Sequence, residues 1–509
     1  MVDQVEEFDY VVIGAGSAGC ALARRLSDLT GARILVLEAG GADERPDIHD
    51  PTAYYGLWGS EVDWKYETVP QPEADGRVIA VPRGRVLGGT SSLNGMVYIR
   101  GDRRDFDTWA YLGAHGWSFA EVDAAFNSME GRGSPRNADA PATGPLKPAV
   151  VSNRSEISQV FIDACVEVGI PFNPDLNSGD LIGAAWNESN IVDGRRQSSY
   201  RAFLAGIADR RELVVETHAL VQKLDVNPQG EIHRVEYMSN GRPRAVHVRR
   251  EVILASGAID TPRTLLLSGI GSALELERVG VAPCIDLPEV GRNLVDHMLL
   301  GVAFGATREI DNKNPNITEC CAFVKSDDAV LGCDIEISMG KEKNFVAGYD
   351  APEHCFTLIP GITRPQSRGS LTLVSSDPNV HPRIDPRHLA EPEDVHALVR
   401  GIEISREIAN SRAFRPWNAG EVAPGTHVTS REGIRNFVRS VATTWFHPVG
   451  TCRMGVDSGA VVDQMLRVRG TSNLRIADAS IMPEIVACNT NAASMMIGWR
   501  AGDIIASEF

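Results

Sequence analysis

The chain has 509 residues, 43% of them hydrophobic and 23% charged, with a formal net charge of −17. That length exceeds one ordinary core and sets an expectation of two or more domains, while an acidic balance with no basic stretch argues against nucleic acid or an anionic membrane surface as partner. No apolar run is long enough for a transmembrane segment, Met1 to Phe8 lacks a signal-peptide pattern, and nine scattered cysteines show no C-x-x-C spacing, so the expectations are a cytoplasmic location, reduced thiols and no metal.

The N-terminal stretch is the most informative. Asp9 to Ile13 reads as a short buried strand that runs into Gly14-Ala15-Gly16-Ser17-Ala18-Gly19, and Cys20 to Ser27 reads as a helix. A second strand, Arg33 to Leu37, ends at Glu38, 24 residues beyond Gly14. This is the βαβ pattern of a dinucleotide fold: glycines for the tight turn, for close approach to a pyrophosphate and for helix packing, with an acid placed for a ribose hydroxyl. It leaves open whether the dinucleotide is NAD or FAD.

From Pro46 to Pro72 the chain reads as a long excursion whose aromatics (Tyr54, Tyr55, Trp58, Trp64, Tyr66) are expected to be ordinary packing. Gly84 to Gly101 combines glycines with Thr90, Ser91 and Ser92, a loop rich in small donors that suits a cofactor cradle. Helices are expected over Asp105–Leu112 and Ser118–Met129, the second with a capping box of Ser118 and Glu121. Gly131 to Lys147 shifts to Gly, Pro, Ser, Asn and Asp and marks a candidate boundary. A helix follows over Ser155–Val168, and another is expected to begin near Ser199. Leu213–Glu216 reads as a strand. Ala219–Val226, Glu231–Met238 and Arg244–Val248 then read as a three-stranded meander, followed by a separate buried strand, Glu251–Ala255. Pro262 is expected to begin a helix over Arg263–Leu267. Between Leu299 and Val438, alternating runs and the amphipathic helix Pro392–Asn410 read as an antiparallel sheet with helices, expected to form a substrate domain. The chain from Thr443 returns to chemistry: Trp445-Phe446-His447-Pro448-Val449-Gly450-Thr451, then a strand ending at Asp478, Asn489-Thr490-Asn491 and an apolar helix over Ala492–Ala506.

Four motifs in this order, the βαβ unit with Glu38, the Gly84–Gly101 loop, Gly257–Gly271, and His447–Thr451 with Asp478 and Asn489, resemble the glucose–methanol–choline oxidoreductases over nearly the whole chain. The resemblance implies an α/β Rossmann-like FAD-binding domain with an inserted β-meander, contributed by residues 1–150, 201–298 and 439–509. An α+β substrate domain on an antiparallel sheet would come from 151–200 and 299–438. By motif matching, Gly14, Gly16, Gly19 and Glu38, with Ser17, Ala18 and Ala39, would hold the ADP half, and the Val221 backbone would contact adenine. Arg85, Gly88, Gly89, Ser92, Asn94, Gly95 and Met96 would border the flavin and pyrophosphate, with Asp478, Ala479, Asn489 and Asn491 completing the cofactor site. His447 and Asn489 match the catalytic positions, and Met96, Trp445 and Phe446 would line the substrate pocket.

The implied reaction is oxidation of a small primary alcohol to the aldehyde by hydride transfer to flavin N5. Candidate substrates are an aromatic or heteroaromatic alcohol such as pyridoxine or hydroxymethylfurfural, or a choline-like one, with O2, a quinone or a carrier as electron acceptor. A neutral imidazole suits the base that takes the hydroxyl proton, and an asparagine can bond the same oxygen without competing for that proton. Two departures stand out. Thr264 replaces an aliphatic residue of the third motif, and Leu93 occupies the position from which some relatives tether FAD through histidine, so non-covalent FAD is expected. The alternative implied function is a hydroxynitrile lyase with FAD as a redox-silent element.

Overall fold

A computed structural model of the protein describes residues 6–131, 143–150, 153–311, 318–341, 346, 348–350 and 352–509; most of the candidate boundary at 131–147 lies outside them. The first strand spans Glu7–Ile13, the helix Ser17–Leu29 and the second strand Ile34–Leu37. These apolar strands pair in parallel (Val11 opposite Leu35), and Leu213–Glu216 extends the sheet in parallel on the far side of Ile34–Leu37. Buried on both faces, Ile34–Leu37 and the Tyr10–Ile13 half of the first strand read as continuous apolar runs rather than alternating ones.

On the other side of Glu7–Ile13 lies one 13-residue strand, Arg242–Leu254. The sequence reading divided it into a meander strand and a separate core strand. The division fell at Arg249 and Arg250, which are exposed where this single strand leaves the core. Its first half pairs antiparallel with Ile232–Ser239, which pairs with Ala219–Val226; its second half pairs in parallel with Leu474–Ile476. Meander and nucleotide-binding sheet are therefore one seven-stranded sheet.

A second sheet has eight strands and is antiparallel throughout, running in the order Asn418–Ala423, Val302–Ala306, Cys355–Ile362, Ile335–Gly340, Cys320–Val324 and Gly183–Trp186, with two short strands, Met298–Leu299 and Thr443–Thr444, attached at Cys355–Ile362. The helix Pro392–Ala409 covers one face, packing Leu398 and Ile402 in a cluster with Ile335 and Ile337. Ser370–Thr372 pairs only with Arg383–Asp385, in a separate two-stranded sheet.

Local expectations fared unevenly. The capping box of Ser118 and Glu121 is present. The expected helix after Ser199 is instead a single wide turn, Tyr200–Leu204, followed by a short 3-10 turn. The helix expected from Arg263 begins six residues earlier and spans Gly257–Leu267, with Pro262 inside it. Proline cannot donate to the carbonyl four residues back, here Ala258; the Thr451 hydroxyl donates to that carbonyl at 2.7 Å. Among the described residues no helix is long and apolar enough to cross a membrane.

Candidate active site

One large cavity, with about 2090 Å³ of non-atom space including its mouth, opens where the parallel strands end and one face of the antiparallel sheet begins. Ligands of open α/β sheets bind at such carboxyl ends. Gly14, Gly16, Ser17, Ala18, Glu38, Ala39 and Val221 line one end of it. Gly14 has φ +104°, and a Cβ on Gly19 would lie 1.9 Å from the Gly14 carbonyl oxygen, so the turn and the helix pack only without side chains. The opening N–H groups of Ser17–Leu29 have no partner within the helix and favour negative charge. Glu38 accepts from the N–H groups of Ala15 (3.0 Å) and Gly40 (2.8 Å), and burial pushes its carboxyl up to about 7. A register shift between Val221 and Lys223 breaks the ladder beside the cavity and exposes backbone there.

Gly89, Asn94, Gly95 and Met96 line the middle of the cavity. Gly89 sits against the first turn, where a Cβ would lie 2.7 Å from Cα of Gly16. Arg85, Gly88 and Ser92 are not among the lining residues. Arg85 lies over the Trp64 ring, the Gly88 N–H donates to Ala15, and the Ser92 hydroxyl donates to Leu87, so these three brace the loop rather than face the cavity. Asp478 accepts from Gly257 N–H, Thr261 Oγ1 and Ser480 N–H and ties two elements together beneath Ala479. Ser17 Oγ donates to Asn491 Oδ1 at 2.6 Å, leaving Asn491 Nδ2 buried without a protein partner. Glycine contacts that a Cβ would fill, free helix-start N–H groups and an orphaned amide donor together fit a dinucleotide in this cavity.

At the far end stand Trp445, Phe446, His447 and Asn489. Their placement depends on a segment that the sequence reading passed over. The Val295 and Val449 backbones exchange two hydrogen bonds, and Trp445 N–H donates to the His297 carbonyl. Asp296 accepts from the backbone N–H of His447 (2.8 Å) and from the Thr444 hydroxyl, which itself accepts from Phe446 N–H. Phe446 adopts φ +67°, and its carbonyl accepts from the half-buried guanidinium of Arg83. This held turn aims the next side chain, His447.

His447 Nδ1 lies 3.0 Å from His297 Nδ1, and His297 Nε2 lies 3.0 Å from the Thr363 carbonyl oxygen. Burial holds His297 neutral, down to about 4, and burial, then His297 and Arg83, press His447 well below its ordinary value. A carbonyl only accepts, so the single proton of His297 is on Nε2 and its Nδ1 is a lone pair. His447 must then donate from Nδ1, which leaves its Nε2 as a lone pair. Asn489 Nδ2 stands 3.4 Å from that nitrogen, and Asn489 Oδ1 has no protein partner.

The aromatic excursion does more than pack. Tyr54, Tyr55, Trp58 and Trp64 line the cavity, and Trp58 meets Phe446 with ring centroids 4.7 Å apart; Tyr66 instead donates to Asp260. Sequence reading also missed Arg83, His297 and Glu336. The only sequence signals were an Asp-His pair in an apolar stretch and an acid alternating with Ile335 and Ile337.

Residues 8–299 and 365–498 match the N- and C-terminal family models described as GMC oxidoreductase. The chain is 36% identical to alcohol dehydrogenase [acceptor] of Pseudomonas putida, with 98% of this chain and 95% of that protein covered. It is 34% identical to human mitochondrial choline dehydrogenase, covering 99% and 90% respectively. The solved structure of pyridoxine 4-oxidase from Mesorbium loti superposes with a TM-score of 0.92 at 33% identity, over 97% of this chain and 98% of that one.

Proposed function

The chain belongs to the GMC oxidoreductase family, and on that premise we propose that it oxidises a small primary alcohol to the aldehyde, with His447 Nε2 taking the hydroxyl proton. It is an FAD-dependent oxidoreductase acting on CH–OH groups. FAD, when bound, supplies the two-electron acceptor. The observation that supports the role of His447 is its Nδ1 contact with His297, from which an unprotonated Nε2 facing the Asn489 amide follows. An alcohol placed there donates its O–H to Nε2 and accepts from Asn489 Nδ2, so its proton has a base before the C–H bond breaks. Trp58, Trp445 and Phe446 wall the site with their rings.

FAD is held without a covalent tether in this reading. Leu93, at the tether position, is buried among Ile48, Leu57, Val62 and Val86 and offers no nucleophile. We place the protein in the cytoplasm, a reading supported by nine cysteines that are all free thiols; the electron acceptor is O2, a quinone or a carrier.

The test is anaerobic mixing of the yellow holoenzyme with choline, pyridoxine, benzyl alcohol and hydroxymethylfurfural. Bleaching of the flavin is expected with at least one, and acid should release free FAD. A His447→Ala variant should stay yellow while reduction slows by roughly 10²- to 10⁴-fold. A flavin that no alcohol bleaches would remove the proposed activity, and a fast His447→Ala enzyme would remove the base.

A further inference from the structure

The peptide unit between Phe446 and His447 is gripped at both ends. Its carbonyl accepts from Arg83 and its N–H donates to Asp296 Oδ1, so a cation and a carboxylate hold the one unit that aims the base. The hold of the carboxylate depends on its rotation, because Oδ1 meets that N–H only while Oδ2 is kept in place. Thr444 Oγ1 donates to Oδ2 from the same turn. Asp296 is buried, and each oxygen of an ionised carboxylate can accept more than one donor. Arg83, the other charged group near this acid, points its guanidinium at the Pro82 and Phe446 carbonyls instead.

A second donor for Oδ2 comes from outside the turn. His388 lies in the loop between Arg383–Asp385 and the helix Pro392–Ala409. It is 3% exposed, and its Nε2 stands 3.4 Å from Asp296 Oδ2. Among the described residues neither of its ring nitrogens has any other partner, whereas buried polar atoms are as a rule paired. The backbone around it is bent to put it there. Arg387 has φ +55° and Leu389 φ +61°, so left-handed residues stand on both sides of His388, a conformation that side chains adopt only at a cost. The His388 N–H donates at 2.9 Å to Oε1 of Gln71, a fully buried residue whose amide reaches Val69 and Asp385. An apolar side chain would fill this volume without desolvating an imidazole. Strained backbone around a buried polar ring points to a use, and the acid facing that ring is the one that holds His447.

We propose that His388 is a positioning residue for alcohol oxidation: its Nε2–H donates to Asp296 Oδ2 and fixes the carboxylate so that Oδ1 keeps the His447 backbone in place. This rests on the reading of His447 as the base. His388 is not among the residues that line the cavity, so its effect reaches the alcohol only through Asp296 and one peptide unit. It acts on the rate at which the proton and hydride leave, and not on how tightly the alcohol binds.

The experiment follows anaerobic flavin reduction in holoenzyme by stopped flow, over a range of concentrations of an alcohol that reduces the wild type, so that limiting rate and alcohol Kd separate. His388→Leu fills the space without a donor. His388→Gln brings an amide N–H to where Nε2 stands, and His388→Asn brings one to where Nδ1 stands. His388→Leu should hold flavin and lower the limiting rate by roughly 10- to 100-fold with little change in Kd. His388→Gln should recover most of that rate and His388→Asn should not. In an Asp296→Asn background His388→Leu should cost little more, because both changes act on one contact. A wild-type limiting rate in His388→Leu, equal rates in the Gln and Asn variants, or losses that multiply in the double variant would overturn the role of His388 and leave alcohol oxidation standing. Should His388→Leu fail to hold flavin, the comparison of Gln with Asn decides. Failure of every alcohol to bleach the wild type would instead overturn the reading beneath, and this role with it.

Discussion

Nδ1 of His297 and Nδ1 of His447 lie 3.0 Å apart, and only one of the two can carry a proton. The Thr363 carbonyl decides which, because it takes the Nε2 proton of His297. His297 is thus a positioning residue that sets the tautomer of His447. Replacing it with Phe keeps a ring but removes the acceptor, so His447 can place its proton on the nitrogen that must be free. His297→Phe should bind flavin normally and reduce it roughly 10- to 100-fold more slowly, with part of the rate recovered in His297→Asn. Stopped-flow reduction by an alcohol, read against flavin absorbance, tests this; equal rates would show that the contact is only structural.

The pH dependence follows from the same pair. His447 is pressed well below 6.5, chiefly by burial, so with a neutral alcohol the rate should be level above neutrality and fall only on the acid side. Asn489→Asp would set a carboxylate where an amide now lies 3.4 Å from Nε2. A negative neighbour favours imidazolium, and the acid limb should move to higher pH by roughly a unit or more. A kcat/KM profile whose limb stays in place would show that residue 489 does not act on the imidazole.

Thr451 carries a structural prediction. Its hydroxyl bonds the Ala258 carbonyl that Pro262 leaves without a backbone donor. Thr451→Val has nearly the same shape and strands that oxygen, which should lower stability by about 1–3 kcal/mol. Thr451→Ser should not. Thermal unfolding of the two holoenzymes side by side separates shape from hydrogen bond.

Gly361→Ala tests the wall. The added methyl would collide with the Trp445 ring, which must swing away, at a cost of about 1–3 kcal/mol. Flavin content should hold, because the cofactor's glycine turn belongs to the other sheet, while KM for alcohol should rise by about tenfold, in proportion to that cost. An unchanged KM would mean that Trp445 does not shape the alcohol site.

The nucleotide end was legible because its parts are contiguous: strand, glycine turn, helix, strand and Glu38 follow one another within the first 40 residues. His447 and Asn489 were legible only through the resemblance of their motifs. What sets their chemistry was not. His297 lies 150 residues before its partner, and its role depends on a carbonyl on another segment. Glu336 looked like one polar position in an alternating strand, and only the pairing with Gly361 places an indole beside it. Arg249 and Arg250 misled in the opposite sense, since charge inside an apolar run resembles a break when the strand merely emerges into solvent.

The hydrogen bond from Ser17 to Asn491 joins positions 474 apart in sequence. Nearby, Gly498 lies so close to Ala18 that a Cβ would come within 2.1 Å of its carbonyl oxygen. On the ribosome, the βαβ unit is therefore made first but waits for the helix Asn491–Ala506 before its phosphate-binding turn has its neighbour. A chain that stops before Asn491 should therefore hold flavin less tightly than the finished one, because it lacks the partner of Ser17.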